Sequence, residues 1–488
     1  MSAQAVQLPS RDSVTTIRPD GSRPFMFPSA TRGRFTRARQ ITAYLLIAFY
    51  LSLPWVKING FPAVFLDVAE RRFHLFGLTF AAQDMWLLFF VITGLGFSLF
   101  FVTSLLGRVW CGWACPQTVY LEHIFRPIEV WIEGDAVARR ALDAAPWSPN
   151  KIARRVLKHA VYILVSAILT HLFLASFVSL PEVWSMVRES PAEHWSTFVF
   201  MMAYTGLTYF IFGWFREQVC IVLCPYGRIQ SALTDDNTVT IGYDSRRGEP
   251  RMSVAEAKQW ASASPNKAGD CVDCLRCVSV CPTGIDIRHG MQMECVACTA
   301  CVDACDDVMT RLKRPTGLIR YDSQNAFAGR ATRWVRPRTI LYFVLLLIGA
   351  GVASWAVSTV KPANFLVTRM TGAPYIVDDV SIRNQYFARI VNKRNTPARF
   401  ILRVTNTPAG LHQVGLTTAV EVGPLGEVVQ PLILQQARAA YTGPFHLVVR
   451  VEDDAGKFFL ERKVDFLGPE ARLLREEEDE RKRHATGN

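Results

Sequence analysis

Twelve cysteines lie between Cys111 and Cys305 of this 488-residue chain, and their spacing is its strongest chemical signal. Eight fall in "CVDCLRCVSVCP", which begins at Cys271, and "CVACTACVDAC", which begins at Cys295. Each run reads C-x2-C-x2-C-x3-C: Cys271, Cys274, Cys277 and Cys281, then Cys295, Cys298, Cys301 and Cys305. Short gaps let three thiolates converge on one face of an iron–sulfur cube. Where two such runs share a fold, the fourth thiolate of each ligates the other cube. The pattern therefore predicts one [4Fe-4S] cluster on Cys271, Cys274, Cys277 and Cys305, and a second on Cys295, Cys298, Cys301 and Cys281. Pro282 closes the first run as the pattern expects, whereas Asp306 stands at that place in the second. The competing chemistry, a pair of structural zinc sites, is better served by separated C-x2-C pairs. Clusters of this kind move electrons one at a time, so electron transfer is the expected chemistry.

The other four cysteines form a second signal. "CGWACP" holds Cys111 and Cys115, and "CIVLCP" holds Cys220 and Cys224. Both read C-x3-C-P, and each follows the inner end of a predicted membrane span. On a continuing helix, residues four apart share a face. Each pair can then offer two sulfurs to one soft metal, and the Pro that follows would end or kink the helix. Two such pairs on different helices can face each other, and soft thiolates select Cu(I) or iron–sulfur over hard ions. A single pair reads equally well as buried apolar cysteine; two matching motifs at equivalent places point to a metal or redox role. His123 is either a haem or copper ligand on the same face or an interfacial side chain. His171, inside the third span, is either functional or a neutral imidazole bonded to a neighbouring helix. There is no phosphate-binding loop, no dinucleotide fingerprint, no Ser–His–Asp set and no paired carboxylates.

These thiols sit in a chain built for a membrane. Half of the residues are hydrophobic, and five long apolar runs stand out: Ile41–Val56, Met85–Gly107, Ala160–Leu180, Ser196–Phe215 and Ile340–Val360. Crossing the hydrocarbon core takes ~20 apolar residues, whereas buried core helices suit runs of ~10–14. The first run is the shortest, and Pro54 ends it. A basic stretch precedes it and no A-x-A site follows, which excludes a cleavable signal peptide. The net charge of +12 gathers at the span edges, as in Arg32, Arg34, Arg37 and Arg39 and again in Arg330, Arg333, Arg336 and Arg338. That is a membrane pattern rather than a nucleic-acid footprint. Between spans, Arg108–His159 holds eight Lys and Arg, and Pro181–Trp195 holds only Arg188. Basic loops mark the cytoplasmic side. The N-terminus and every cysteine are thus expected inside, in a reducing compartment, and everything after Lys361 outside.

The C-terminal part reads as an all-β domain. Gln385–Asn392, Arg399–Asn406, Gly426–Leu434, Pro444–Val451 and Lys457–Val464 are β-rich and partly alternating, with turn residues between them. Short strands at this spacing favour an immunoglobulin-like β-sandwich. The expected fold is a polytopic α-helical membrane protein with an inserted two-[4Fe-4S] ferredoxin-like domain and that sandwich. Its segments are a disordered tail (1–40), a four-helix region with the two C-x3-C-P motifs (41–235), the cytoplasmic cluster domain with linkers (236–338), a fifth helix (339–360), the outer domain (361–468) and a charged tail (469–488).

A polytopic N-terminal half, two C-x3-C-P motifs, a two-cluster insert and a final β-domain together resemble the CcoG (FixG, RdxA) family, accessory proteins of cbb-type cytochrome c oxidase assembly. "YDSRRGEPR" (Tyr243–Arg251) and "RPTGLIRYDS" (Arg314–Ser323) are also similar to that family. The resemblance covers nearly the whole chain beyond residue 30. It implies a cupric reductase of the bacterial inner membrane that reduces Cu(II) to Cu(I) for the oxidase's copper centre. The eight clustered cysteines become cluster ligands, and Cys111, Cys115, Cys220 and Cys224 become the catalytic candidates, binding copper or relaying electrons. Implied partners are copper ion, oxidase assembly factors or a copper transporter or chaperone, and an electron donor that the sequence does not name. The alternative is a quinol-oxidising membrane ferredoxin that feeds a periplasmic reductase.

Overall fold

The structure is a computed structural model that describes residues 25–68, 72–81, 86–256, 269–359, 361–394, 396–454, 456 and 458–477. Most of the expected disordered tail and the end of the charged tail lie outside those residues. The chain forms two compact units, one with the helices and the cysteine-rich insert and one with the C-terminal sheets.

In the first unit, helix α1 (Arg34–Ser52) is followed by a short hairpin, β1 (Val64–Asp67) with β2 (Arg72–Leu75). Then come α2 (Trp86–Leu106), α3 (Val109–Trp113), α4 (Pro116–Tyr120), α5 (Arg126–Glu133), the 30-residue α6 (Pro149–Val178), α7 (Trp195–Tyr209) and α8 (Pro225–Leu233). Among the described residues, four helices are long and apolar enough to cross a membrane. They are α2 from Phe89, α6, the helix from Trp195 through Phe215, and α11 (Pro337–Ser358). Their apolar side chains point outward: Phe89, Ile92 and Leu95 are all more than 60% exposed, as lipid-facing residues are. The first apolar run forms α1 but is not among the four. Its helix begins within the basic stretch and ends before Pro54, which leaves an uncharged segment shorter than the hydrocarbon core.

The insert between α8 and α11 holds α9 (Arg276–Ser279) and α10 (Ala300–Arg311). Its two ends pair as antiparallel strands, β3 (Thr240–Tyr243) with β4 (Ile319–Asp322). That pairing brings the insert's termini together, which is why a globular module can sit between two membrane helices. Its core packs Ile241, Val302, Met309, Leu318 and Ile319 around the thiol loops.

The second unit is a two-sheet immunoglobulin-like sandwich. Its long strands are Ser381–Asn392, Ala398–Thr405, Glu427–Ala437, Phe445–Asp453 and Phe459–Phe466. Each overlaps a predicted strand. Ala363–Arg369 and three shorter strands were not anticipated. Inward residues Phe365, Phe400, Leu432, Val449 and Phe466 are fully buried between the sheets.

The basic segment after α4 is not an open loop. Glu129 and Glu133, one turn apart on α5, are each 1% exposed. Glu129 pairs with Arg139 at 2.8 Å and with Arg216, and Glu133 with Lys158 at 2.9 Å and Arg155 at 3.3 Å. Buried charges persist only when paired in this way. Burial alone would raise the Glu129 pKa, but Arg216, a hydrogen bond with Tyr162, Lys158 and Arg139 together outweigh it and hold the carboxyl down at about 2. A depressed carboxyl contributes stability that is fully present above its ordinary value of 4.5 and is lost as pH falls toward 2. Glu129→Gln should destabilise the helical unit by about 3–5 kcal/mol, because two buried guanidiniums lose their shared anion. Thermal unfolding in detergent at neutral pH checks this, and the difference between wild type and variant should shrink below pH 4.5.

Candidate metal centres

The two ferredoxin-type loops are wound alike. Asp273 and Leu275 in the first, and Ala297 and Thr299 in the second, all take left-handed backbone angles, with φ of 49°, 54°, 54° and 64°. None is glycine, so each costs about 1–2 kcal/mol. The strained residues flank Cys274 and Cys298 at identical offsets, and the curl they impose turns successive cysteines to one side. Each loop then runs into its helix, α9 or α10. The two runs differ afterwards. Pro282 follows a helix that has already ended, whereas Asp306 lies inside α10, which continues to Arg311 and would not tolerate Pro there. The Asp306 carboxylate instead accepts the Gly317 N–H at 2.8 Å.

Two cavities result. One is lined by Cys271, Cys274, Cys277 and Cys305. The other is lined by Cys281, Cys295, Cys298 and Cys301, together with Cys277. The fourth cysteine of each run thus faces the other run's cavity. All twelve cysteines are free thiols. Among the described residues no His, Cys, Asp or Glu group is gathered tightly enough to cage a single ion. Four thiols around each space suit a four-iron cube, which takes one thiolate per iron. Burial, reinforced by neighbouring thiols, pushes Cys295 and Cys305 up to about 12 and raises Cys281 and Cys301 as well. A cationic iron core reverses that penalty by binding the thiolates.

The C-x3-C-P motifs depart from the expected continuous helix. Cys111 lies in α3, but the helix stops at Trp113, and Cys115 is extended and precedes α4 as its N-cap, with Pro116 in the first position. Cys220 lies in a π-helical turn, Val219–Leu223, and Cys224 is the N-cap of α8, with Pro225 first. In both motifs the second cysteine's N–H reaches back five residues, Cys115 to the Trp110 carbonyl at 2.9 Å and Cys224 to that of Val219 at 2.7 Å. Pro suits a first helical position, where its missing N–H has no partner to lose. The second cysteine of each motif therefore sits at a helix N-terminus. Burial raises the Cys115 thiol, and the Gln117 and Thr118 N–H groups oppose it.

The four thiols come within electrostatic reach of one another. Cys111 and Cys220 are both pushed up to about 12 by burial, and each feels the charge of Cys115's or Cys224's thiol across the helices. Arg108, 6% exposed, ties the two motifs together. Its guanidinium donates to the Gly227 carbonyl at 2.5 Å and to Gln230, both on α8. It also lowers both Cys111 and Cys220.

This thiol group is packed directly on the second cluster loop. A Cβ at Gly112 would lie 2.7 Å from the Ala297 carbonyl carbon and 2.8 Å from the Val296 oxygen. Trp113 donates to the Tyr321 hydroxyl at 3.2 Å, and Tyr321 donates to the Ala297 carbonyl at 3.1 Å. On the far side of that loop, Asp303 of α10 caps α1, accepting Thr36 N–H and Oγ1 at 2.6 Å each, while Arg39 donates to the Cys298 carbonyl at 2.7 Å. Arg108, Gly112 and Asp303 were not among the sequence candidates. The lone glycine between Cys111 and Cys115 was the one available signal, since "CIVLCP" has no counterpart to it.

The two histidines stay outside this arrangement. The His123 ring meets Tyr44 edge-on at 5.9 Å, and burial with Arg39 nearby lowers it to about 4. His171 bonds to the Ala167 carbonyl of its own helix at 2.7 Å rather than to a neighbouring helix.

A helical membrane unit with an inserted dicluster ferredoxin domain and an immunoglobulin-like domain defines a membrane iron–sulfur electron-transfer protein. Residues 85–135 match the family described as a 4Fe-4S binding domain, residues 215–324 that of a 4Fe-4S dicluster domain, and residues 353–469 that of an IG-like fold at the C-terminus of FixG. The nitrogen fixation protein FixG of Rhizobium meliloti is 34% identical over 435 residues, 80% of each chain. Protein RdxA of Cereibacter sphaeroides is 36% identical over 453 residues, 88% of this chain and 94% of its own. A crystal structure of a FixG-related protein from Vibrio parahaemolyticus aligns with 22% of this chain and 97% of its own at 19% identity and a TM-score of 0.21. The chain belongs to the FixG/RdxA family.

The cavity grouping makes a direct prediction for the ligands. Cys281→Ser combined with Cys295→Ser should lose no more iron than either change alone, since both sit at one cavity. Cys281→Ser combined with Cys271→Ser should lose nearly all of it. Iron and acid-labile sulfide counts on anaerobically purified protein distinguish these outcomes.

Proposed function

We propose that the protein is a cupric reductase of a bacterial inner membrane, with N-terminus and clusters cytoplasmic and the immunoglobulin-like domain periplasmic, supplying Cu(I) for assembly of cbb-type cytochrome c oxidase. One cluster belongs to Cys271, Cys274, Cys277 and Cys305, the other to Cys281, Cys295, Cys298 and Cys301. The observation that carries this reading is the gathering of Cys111, Cys115, Cys220 and Cys224 around Arg108, packed on the Val296–Ala297 backbone of the second cluster loop.

When bound, the clusters supply electrons singly. The chain's own residues do the rest. Arg108 lowers the cost of thiolate at Cys111 and Cys220, and the Gln117 and Thr118 N–H groups do so at Cys115. Cu(II) prefers nitrogen and oxygen ligands, while Cu(I) prefers sulfur. A set of thiolates is therefore a poor host for the substrate ion and a good one for the product, which biases the one-electron step toward Cu(I). Residues 85–135 contain only Cys111 and Cys115, so a four-thiolate site there draws two cysteines from elsewhere, and Cys220 and Cys224 lie within electrostatic reach.

The test is anaerobic. Protein reduced chemically and freed of reductant should convert about two Cu(II) to chelator-trapped Cu(I) per chain, one for each cluster electron. Cys111→Ser with Cys115→Ser should slow this by about tenfold or more while the iron content stays that of wild type. Unchanged rates with intact clusters would remove these thiols from the route.

A further inference from the structure

Behind the C-x3-C-P thiols, on the membrane side, lies a cavity that no part of the copper reading uses. It occupies about 250 Å³ and is lined by Tyr50 of α1, Gln117 and Tyr120 of α4, Thr170 of α6, and Tyr204 and Leu207 of α7. Three phenols from three helices therefore face one space. Tyr50 and Tyr120 meet edge-on at 6.0 Å, and both lie near enough to Tyr204 to interact with it electrostatically. Among the described residues, none of the three hydroxyls has a protein hydrogen-bond partner. Gln117 donates its amide N–H to the Arg216 carbonyl at 3.1 Å, which fixes the side chain beside the cavity. Leu207 is half-exposed at the mouth, so the space opens toward lipid.

Polar hydroxyls left unpaired in an aromatic space inside a membrane layer call for a ligand with oxygen partners and a flat apolar body. We propose that this cavity binds the ring of an isoprenoid quinol, which is the protein's electron donor. Phenols pair with the ring oxygens, aromatic faces pack on the ring, and the isoprenoid tail leaves past Leu207 into the bilayer. Position supports the role. Pro116 and Gln117 line the cavity and follow Cys115 directly, and the thiol group is in turn packed on the second cluster loop. The step balances: one quinol becomes quinone, its two electrons pass one to each of the two clusters, and its two protons are released to water. The inference rests on the clusters and is independent of copper as the acceptor.

Two measurements test it on the anaerobic holoprotein in nanodiscs. Short-chain benzoquinol or naphthoquinol should bleach the iron–sulfur chromophore. Tyr120→Phe with Tyr204→Phe should slow that bleaching by about tenfold or more, since two hydrogen bonds are lost. Leu207→Trp, which fills the mouth, should abolish it. Both variants should keep wild-type iron and sulfide and be reduced normally by dithionite. A photoreactive azidoquinone should label peptides that carry Tyr120 or Tyr204, and excess quinol should protect them. Absence of bleaching by either quinol, wild-type rates in both variants, or labelling confined to other peptides would overturn the proposal. Copper reduction by dithionite-reduced protein reports on the function proposed above and would be untouched by that failure.

Discussion

The first unit is organised around one contact: the backbone of Gly112, between the paired cysteines of the first membrane motif, lies against the backbone of Val296 and Ala297 in the second cluster loop. Only the lack of a side chain permits it. If electrons pass from the clusters to the membrane thiols as proposed, this backbone-to-backbone approach shortens their path. The Trp113–Tyr321–Ala297 chain of hydrogen bonds and the Asp303 cap on α1 fix the same loop from two further directions. Together they make the ferredoxin insert part of the membrane-proximal layer rather than a tethered passenger.

Charge buried at that layer serves the same end. Glu129 and Glu133 draw Arg139, Arg216, Lys158 and Arg155 into the ends of α5, α6 and α7, and Arg108 bridges α3 and α8. Positive residues that the sequence presents as membrane flanks are thus structural ties as well. They hold the helix ends in the register that lets the two C-x3-C-P motifs meet.

The gathering of the eight ferredoxin-type cysteines at two cavities was legible because short spacings keep neighbouring thiols together. The five long sandwich strands were legible because partial alternation survives in them, whereas Ala363–Arg369 and the three shorter strands were not. The four long spans were legible by length, and the shortest run failed that test because its helix draws its first turns from charged residues. What was not legible is long-range or depends on backbone detail. Thr36 and Asp303 are far apart in sequence, as are Gly112 and Ala297, and nothing local marks either pair. The C-x3-C-P geometry was misjudged because residues four apart share a face only if the helix continues. In both motifs the chain instead closes a five-residue turn and restarts at Pro.

The Gly112 contact offers the most direct measurement of the central claim. Gly112→Val in chemically reduced protein, followed by stopped-flow reoxidation with Cu(II), separates the contact from ligand chemistry, since all twelve cysteines remain. If electrons leave the clusters through this contact, the variant should keep its iron, its sulfide and its Cu(I) affinity yet reoxidise at least about tenfold more slowly. Reoxidation at the wild-type rate would mean that Cu(II) meets the clusters elsewhere, and the route through the membrane thiols would have to be abandoned.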